Sequence, residues 1–433
     1  MRALALWTNH SFEVYNCQSP ESRNESEPPA MLDLLGWARL GGFSTTLRPM
    51  PLGASKQQLG RRWLSSSSTS APSPATSSSS KFSYDIAASY IAKDHPYDPS
   101  THVFHFNPYN RLQQTRKKHL RPESGQDAFF VSRIGDTGAV ALGVADGVGG
   151  WMDSGVDPAD FSHSFCDYMA SVAYDHGRAP GSQGQTLTAR NLMQKGYETV
   201  CSDRSIPAGG STAIVGILTP DGLLEVANLG DSGFIQLRLN AVHAFSDPQI
   251  HAFNTPFQLS VIPPSVMARM AAFGGAQLSD LPKDAEVTHH GVRHGDVLVF
   301  ASDGLWDNLF NQDILRIVSR AMIRTGAWRD TDAGIRVAPD LEPLTSTEAA
   351  ASAAADGHKA RPLGTLQSRI ATEITAAAKA ASVSTKLDGP FAKEVKKFYP
   401  LDTWHGGKVD DICVVVAVVS EKTPQPPPVK SRL

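Results

Sequence analysis

Four times in this chain an apolar, strand-like run stops at, or starts from, an aspartate flanked by glycine or a second acid. The segments are Val144-Ala145-Asp146-Gly147, Leu229-Gly230-Asp231-Ser232, Phe300-Ala301-Ser302-Asp303-Gly304 and Lys408-Val409-Asp410-Asp411. A fifth acid, in Gln126-Asp127, precedes the apolar Ala128-Phe129-Phe130-Val131. A single Asp-Gly pair is ordinarily a turn. Several of them bordering separate buried strands are a different matter, because clustered carboxylates repel one another and are costly without a balancing cation. Carboxylate oxygens suit hard divalent ions such as Mg²⁺ or Mn²⁺. The adjoining glycines let the backbone come close enough to lend a carbonyl oxygen.

Around these acids, short apolar runs alternate with Gly, Asp and Asn turns from about residue 82 to 420. Runs at 140–145, 212–218, 223–228, 297–301 and 412–417 read as strands, and the valine-rich segment from Ile412 to Val419 as a buried one. Helical patterns fall at 158–174, 188–201, 264–273, 312–325 and 366–381. Strands that mostly follow one another, with helices gathered between groups of them, predict an α+β layered fold rather than a regular βαβ alternation. Residues 326–362 are rich in Ala, Asp, Thr and Pro and read as a flexible insertion, and 421–433 as an extended Pro-rich tail.

Residues 1–80 have another texture. From 34 to 84 there is no Asp or Glu, whereas Arg39, Arg48, Lys56, Arg61, Arg62 and Lys81 are basic and a Ser-rich tract runs over 65–80. Arg-rich, Ser-rich and acid-poor is the composition of an organelle transit peptide. Arg62-Trp63-Leu64-Ser65 resembles a matrix processing site, so import into the mitochondrial matrix is expected. Glu13, Glu21, Glu25 and Glu27 do not suit an import signal, which leaves open whether Met1 or Met31 is the working start.

A formal net charge of -3 gives no nucleic-acid footprint, and no apolar run is long enough to span a bilayer as a helix. Cys17, Cys166, Cys201 and Cys413 form no C-x-x-C pair, which argues against a zinc site or a disulfide scaffold. The histidines lack metal-ligand spacing on any predicted helix, and His405 reads as a loop residue.

Five blocks, Ala145-Asp146-Gly147-Val148-Gly149-Gly150, Gly209-Gly210-Ser211-Thr212-Ala213, Gly230-Asp231-Ser232, Ala301-Ser302-Asp303-Gly304-Leu305-Trp306-Asp307 and Asp410-Asp411-Ile412, together resemble the type 2C protein phosphatases in wording and order. Asn254-Thr255-Pro256-Phe257-Gln258-Leu259 and Gly149-Gly150-Trp151 are similar to the mitochondrial branch of that family. The resemblance implies an αββα sandwich of two antiparallel sheets flanked by helices, with a binuclear centre of Mg²⁺ or Mn²⁺ at one edge. It implies hydrolysis of phosphoserine and phosphothreonine in phosphoprotein substrates by a metal-activated water; a monomer is expected.

Position by position, the resemblance implies that Asp146 bridges two metal ions and that the Gly147 carbonyl ligates one. Asp303 and Asp410 hold the other, while Asp127 supports the water. Asp231 and Asp307 match positions able to bind a weaker third ion, and Asp411 orients rather than ligates. A phosphate-steering cation is expected near the first block. Arg121 is the candidate, with Arg116, Lys117 and Lys118 as competitors.

Two positions depart from the family pattern. Gln126 stands where a metal-binding glutamate is usual and supplies no charge. Val148 stands where many members carry a histidine proposed as general acid, and valine donates no proton. Those departures motivate two alternatives, a pseudophosphatase that binds a phosphoprotein without turning it over, and hydrolysis of small phosphomonoesters.

Overall fold

The structure is a computed structural model. It describes residues 81–422 apart from 109–117, 119, 120, 179–183, 185, 264, 265, 267, 269–279 and 348–363. Two antiparallel sheets dominate. The first has the order β2 (Val103–His105), β1 (Phe82–Ile91), β17 (Ile412–Glu421), β14 (Val297–Ala301), β8 (Gly233–Arg238), β9 (Ala241–Phe245). The second runs β13 (Glu286–Gly291), β7 (Leu223–Leu229), β6 (Ala213–Leu218), β4 (Val140–Ala145), β3 (Ala128–Arg133). Smaller two-stranded pairs are β5 (Gly209–Ser211) with β12 (Leu259–Val261), and β10 (Ile250–Ala252) with β11 (Thr255–Pro256).

The two-residue period of each strand builds the layers. Along β17, Cys413, Val415, Ala417 and Val419 join Phe129, Leu142, Val144 and Phe300 in the core between the sheets. The alternate residues Ile412, Val414, Val416 and Val418 face the opposite way. There they pack with Ile314, Val318 and Met322 of a helix over Asn311–Arg324 and with Ile370 and Ile374 of another over Leu366–Ser382. The second sheet repeats the scheme. Ala128, Phe130 and Ala141 pack on α1 (Pro158–Tyr174) and α2 (Ala189–Ser202), while Phe129, Val131 and Leu142 turn inward. The molecule is thus the expected αββα sandwich. Each fully buried Phe, Leu or Val contributes about 1.5–3 kcal/mol, so this apolar interior offsets the cost of a crowded acidic edge.

Local sequence sets the helix starts. Asp157 caps α1, its carboxylate accepting from the Ala159 N–H, with Pro158 at the first helical position. Thr188 caps α2 through the Asn191 N–H. After β14 come α3 (Asp303–Trp306), the Asn311–Arg324 helix, α4, and a short α5 (Glu342–Thr345); α6 (Leu366–Ser382) and α7 (Pro390–Phe398) follow.

The expected flexible insertion at 326–362 needs correction in its first half. Trp328–Thr331 and Gly334–Val337 pair as a hairpin, β15 with β16. The Trp328 indole is fully buried and donates to the Gly295 carbonyl at 3.0 Å. One large aromatic anchors a hairpin whose exposed residues look like a linker. Most of the expected helix at 264–273, apart from residues 266 and 268, and most of the rest of the insertion, like the leader and residues 423–433 of the tail, lie outside the described residues.

Candidate metal centre at the open edge of the sandwich

Antiparallel register brings the acid-bearing ends together. Ala128 pairs with Ala145, which sets Asp127 and Asp146 side by side. Ala301 pairs with both Val414 and Gly233, which brings Asp303, Asp410 and Asp231 to the same edge. The strand period aims Asp127 and Ser302 into the gap between the sheets, and there they meet. The Ser302 hydroxyl donates to Asp127 Oδ2 at 2.6 Å and accepts from the Cys413 N–H at 3.0 Å. Asp127 is 1% exposed and Asp303 9%.

Asp411 fastens this edge from behind. Its Oδ1 accepts from the Lys93 N–H at 2.7 Å and its Oδ2 from the Gln126 N–H at 2.8 Å. Both oxygens are turned to backbone, an orienting geometry. A glycine is required opposite it. Gly125 sits at φ +68, and a Cβ there would lie 2.3 Å from the Asp411 carboxylate.

The Gly147 N–H donates to the Gln126 carbonyl at 3.1 Å. The Asp146 carbonyl accepts from the Thr212 N–H at 2.9 Å, and the Asp146 N–H donates to the Thr212 hydroxyl at 3.2 Å. These bonds fix the turn after β4. Gln126 points its amide away, donating to Met152 Sδ at 2.8 Å.

At the other side of the edge stands Lys408. Its ammonium touches Asp303 Oδ2 at 2.5 Å, Asp307 Oδ2 at 2.7 Å and Asp410 Oδ2 at 3.1 Å. Sequence reasoning gave this lysine no role. Its one signal was a basic residue inside an otherwise acidic pattern.

The electrostatics follow from crowding. Burial, then the neighbouring Asp411, drives the Asp127 carboxyl well above the usual carboxylate range. Burial and then Asp303 do the same to Asp146 and Asp231. Burial raises Asp307 to about 7 despite Lys408, and burial likewise raises Asp410. For Asp303 burial pushes up, but the Lys408 charge outweighs it and the carboxyl ends below its ordinary value. Burial alone would lower Lys408; Asp303, Asp307 and Asp410 hold it well above the ordinary lysine value instead. Positive charge is what this edge lacks.

The residues fit divalent ions by two tests. The donor set is all oxygen and mostly carboxylate, as Mg²⁺ and Mn²⁺ require. Asp231 Oδ1 is buried with no hydrogen-bond partner, an orphan that a cation would satisfy. Among the described residues no three His, Cys, Asp or Glu stand arranged as a finished ligand set. The point on which Asp303, Asp307 and Asp410 converge is taken by the ammonium of Lys408.

Beside the acids lies a cleft of about 770 Å³ lined by Lys118, Arg121, Gln126, Met152 and His163. Arg121 is 11% exposed and donates to Asp160 Oδ1 at 2.8 Å; Lys118 pairs with Asp157 and Asp160 at 2.8 and 3.2 Å. Arg116 and Lys117 lie outside the described residues. The Val148 side chain is no donor, and its N–H is committed to the Gly210 carbonyl at 3.0 Å. His405 bonds Asp388 at 3.2 Å, a loop contact.

Comparison with known proteins agrees with this architecture. Residues 117–334 match the family model described as Protein phosphatase 2C. The Drosophila grimshawi protein phosphatase PTC7 homolog fig is 32% identical over 299 residues, 68% of this chain and 79% of that relative. The Saccharomyces cerevisiae protein phosphatase 2C homolog 7, mitochondrial, is 32% identical over 213 residues, 48% of this chain and 61% of its own length. The human protein phosphatase PTC7 homolog is 39% identical over 193 residues, 44% of this chain, and the match spans 59% of its length. The chain belongs to the protein phosphatase 2C family of protein serine/threonine phosphatases, in the branch of the PTC7 relatives.

Proposed function

We propose, with membership of the protein phosphatase 2C family as the premise, that the acidic edge hydrolyses phosphoserine and phosphothreonine in proteins with divalent cations as cofactor. The observation that carries the reading is the gathering of Asp127, Asp146, Asp231, Asp303, Asp307 and Asp410 at one strand-end edge. Asp146 and the Gly147 carbonyl would hold one ion, and Asp146, Asp303 and Asp410 another. Mg²⁺ or Mn²⁺ bound there supplies an ionised water at neutral pH and positive charge for the phosphoryl oxygens.

The chain's own groups do the rest. Asp127, buried and bonded to Ser302, holds or accepts a proton next to the reacting centre. Arg121 lends the cleft a guanidinium whose remaining N–H groups are free of Asp160 for a phosphoryl oxygen. The Gln126 amide adds no charge, and Val148 gives the leaving alkoxide no proton. Lacking that donor, the chain forgoes the 10²–10⁴-fold that general acid catalysis typically contributes, so modest turnover is expected.

The substrates proposed are mitochondrial phosphoproteins in the matrix. Two things support this, the acid-poor, Arg- and Ser-rich leader and the mitochondrial name of the yeast relative. No helix among the described residues is long and apolar enough to cross a membrane. A monomer accords with a site built from one chain.

The test is phosphate release from a phosphothreonine peptide with Mn²⁺, with Mg²⁺ and with chelator, beside the Asp303→Ala variant. Turnover lost with chelator and in the variant supports the reading. A folded protein that binds Mn²⁺ and releases no phosphate would favour the pseudophosphatase, which Gln126, Val148 and the position of Lys408 motivate. Faster turnover of a small phosphomonoester than of the peptide would favour the small-molecule alternative.

A further inference from the structure

Lys408 sits in a prepared seat rather than beside the acids by chance. An ammonium has three donors, and each meets a different carboxylate, those of Asp303, Asp307 and Asp410 at 2.5, 2.7 and 3.1 Å. Its far side faces the Phe391 ring, whose centroid lies 5.3 Å from Nζ, within cation–π range. The backbone is fastened too. The Lys408 N–H donates to Asn308 Oδ1 at 3.0 Å, and its carbonyl accepts from Asn308 Nδ2 at 2.9 Å. Asn308 Nδ2 also donates to the Gly304 carbonyl at 2.9 Å, so one amide ties Lys408 to the helical turn that bears Asp303 and Asp307. Phe391 is held by its own N–H to the Asp307 carbonyl at 3.0 Å and by edge packing on Trp404 at 5.4 Å between centroids.

Three carboxylates from two separate segments would repel at this separation. A hard cation and an ammonium are alternative ways of cancelling that repulsion, and both cannot stand on one point. Asp307 gives its nearer oxygen to Lys408, whereas Asp231 Oδ1 has no partner.

We propose that Lys408 is a resident cation of this centre: its ammonium takes the place by Asp307 that a third divalent ion would fill, and holds the acidic edge together without metal. The proposal rests on the reading of the edge as a divalent-ion site. It gives Lys408 a positioning role, setting how many ions the chain takes and keeping Asp303 and Asp410 in place before they arrive.

The experiment is calorimetric titration of Mn²⁺ into the chelator-stripped full chain, as wild type, Lys408→Met and Lys408→Arg, with thermal unfolding of each stripped protein. The expected result is saturation at about two ions for wild type and Lys408→Arg and about three for Lys408→Met, the scale of a binuclear centre plus one. Stripped Lys408→Met should also melt several degrees below wild type, with Lys408→Arg recovering most of the loss. Equal stoichiometry in wild type and Lys408→Met overturns the proposal and leaves the divalent-ion reading standing. If none of the three binds Mn²⁺, that reading fails and the proposal with it. Should Lys408→Met not fold, a wild-type or Lys408→Arg stoichiometry of three ions is the overturning result, because the cation would then exclude nothing.

Discussion

The acidic edge and the cleft beside it handle charge in opposite ways. On the β14–β17 flank, Asp303, Asp307 and Asp410 crowd around one ammonium, and the excess of negative charge is left standing. On the β3–α1 flank, where the cleft lies, Lys118 and Arg121 are already answered by Asp157 and Asp160; Gln126, Val148 and Met152 carry no charge, and Asp127 turns to Ser302 on the other flank. The first flank is an unfinished electrostatic arrangement that calls for cations. The second is finished, and can act on a substrate only through what its groups have left over. The chemistry is therefore expected to depend steeply on the acidic flank and gently on the other.

The sharpest break would come from Asp303→Ala, which should lower phosphate release by about 10²–10³-fold or more, the scale of losing one preorganised charge-stabilising group. If instead its effect were no larger than that of Arg121→Ala, the contrast between the flanks would be lost.

Next in size is a pH effect on the neutral flank. His163 is buried, and burial, then the Arg121 charge, lowers its pKa from 6.5 to about 4. A histidine held down in the folded state takes up its proton sooner when unfolded. Its contribution to stability is thus complete above about pH 6.5 and is lost as pH falls towards about 4. Between pH 7 and 5 this amounts to about 2 kcal/mol, from about 1.4 kcal/mol per pH unit. Chemical unfolding of the Mn²⁺-loaded protein should show that slope in wild type and a flatter one in His163→Gln; parallel slopes would refute it.

Smaller still, Arg121→Ala should raise KM for a phosphopeptide by about 10-fold, one charge-assisted hydrogen bond, with kcat changed less. A fall in kcat alone would move Arg121 from binding to the chemical step. Last, Gln126→Glu would bring the missing charge to the neutral flank and should tighten the apparent Mn²⁺ affinity by about 10-fold or less. Unchanged affinity would mean that the Gln126 side chain, turned to Met152, lies out of reach of the ions.

Much of this molecule was readable from its sequence because period and cap chemistry are local. The valine-rich 412–419 run reads as a buried strand, and it is the strand whose alternate faces serve two cores. The helical pattern at 158–174 coincides with the observed helix Pro158–Tyr174, whose start Asp157 caps. The acids stand out in the sequence because each interrupts an apolar run. What the sequence hides depends on distant partners. Strand β1, FSYDIAASYI, borders the Ser-rich leader without a turn signal and is recognisable only through its ten-residue pairing with β17. The 328–337 hairpin has a linker's composition, and its order comes from the pocket that receives Trp328. Lys408 has no role that its sequence context reveals, since nothing local says that Asp303 and Asp307, about a hundred residues away, will close on its ammonium.

The most direct test of the whole account is a crystal of the full chain grown with Mn²⁺ and measured for anomalous scattering at the manganese edge. The account predicts two strong peaks at the strand-end edge, one beside Asp146 and the Gly147 carbonyl and one beside Asp146, Asp303 and Asp410, with Lys408 still on Asp307. An edge without manganese, with Lys408 on all three carboxylates, would contradict it.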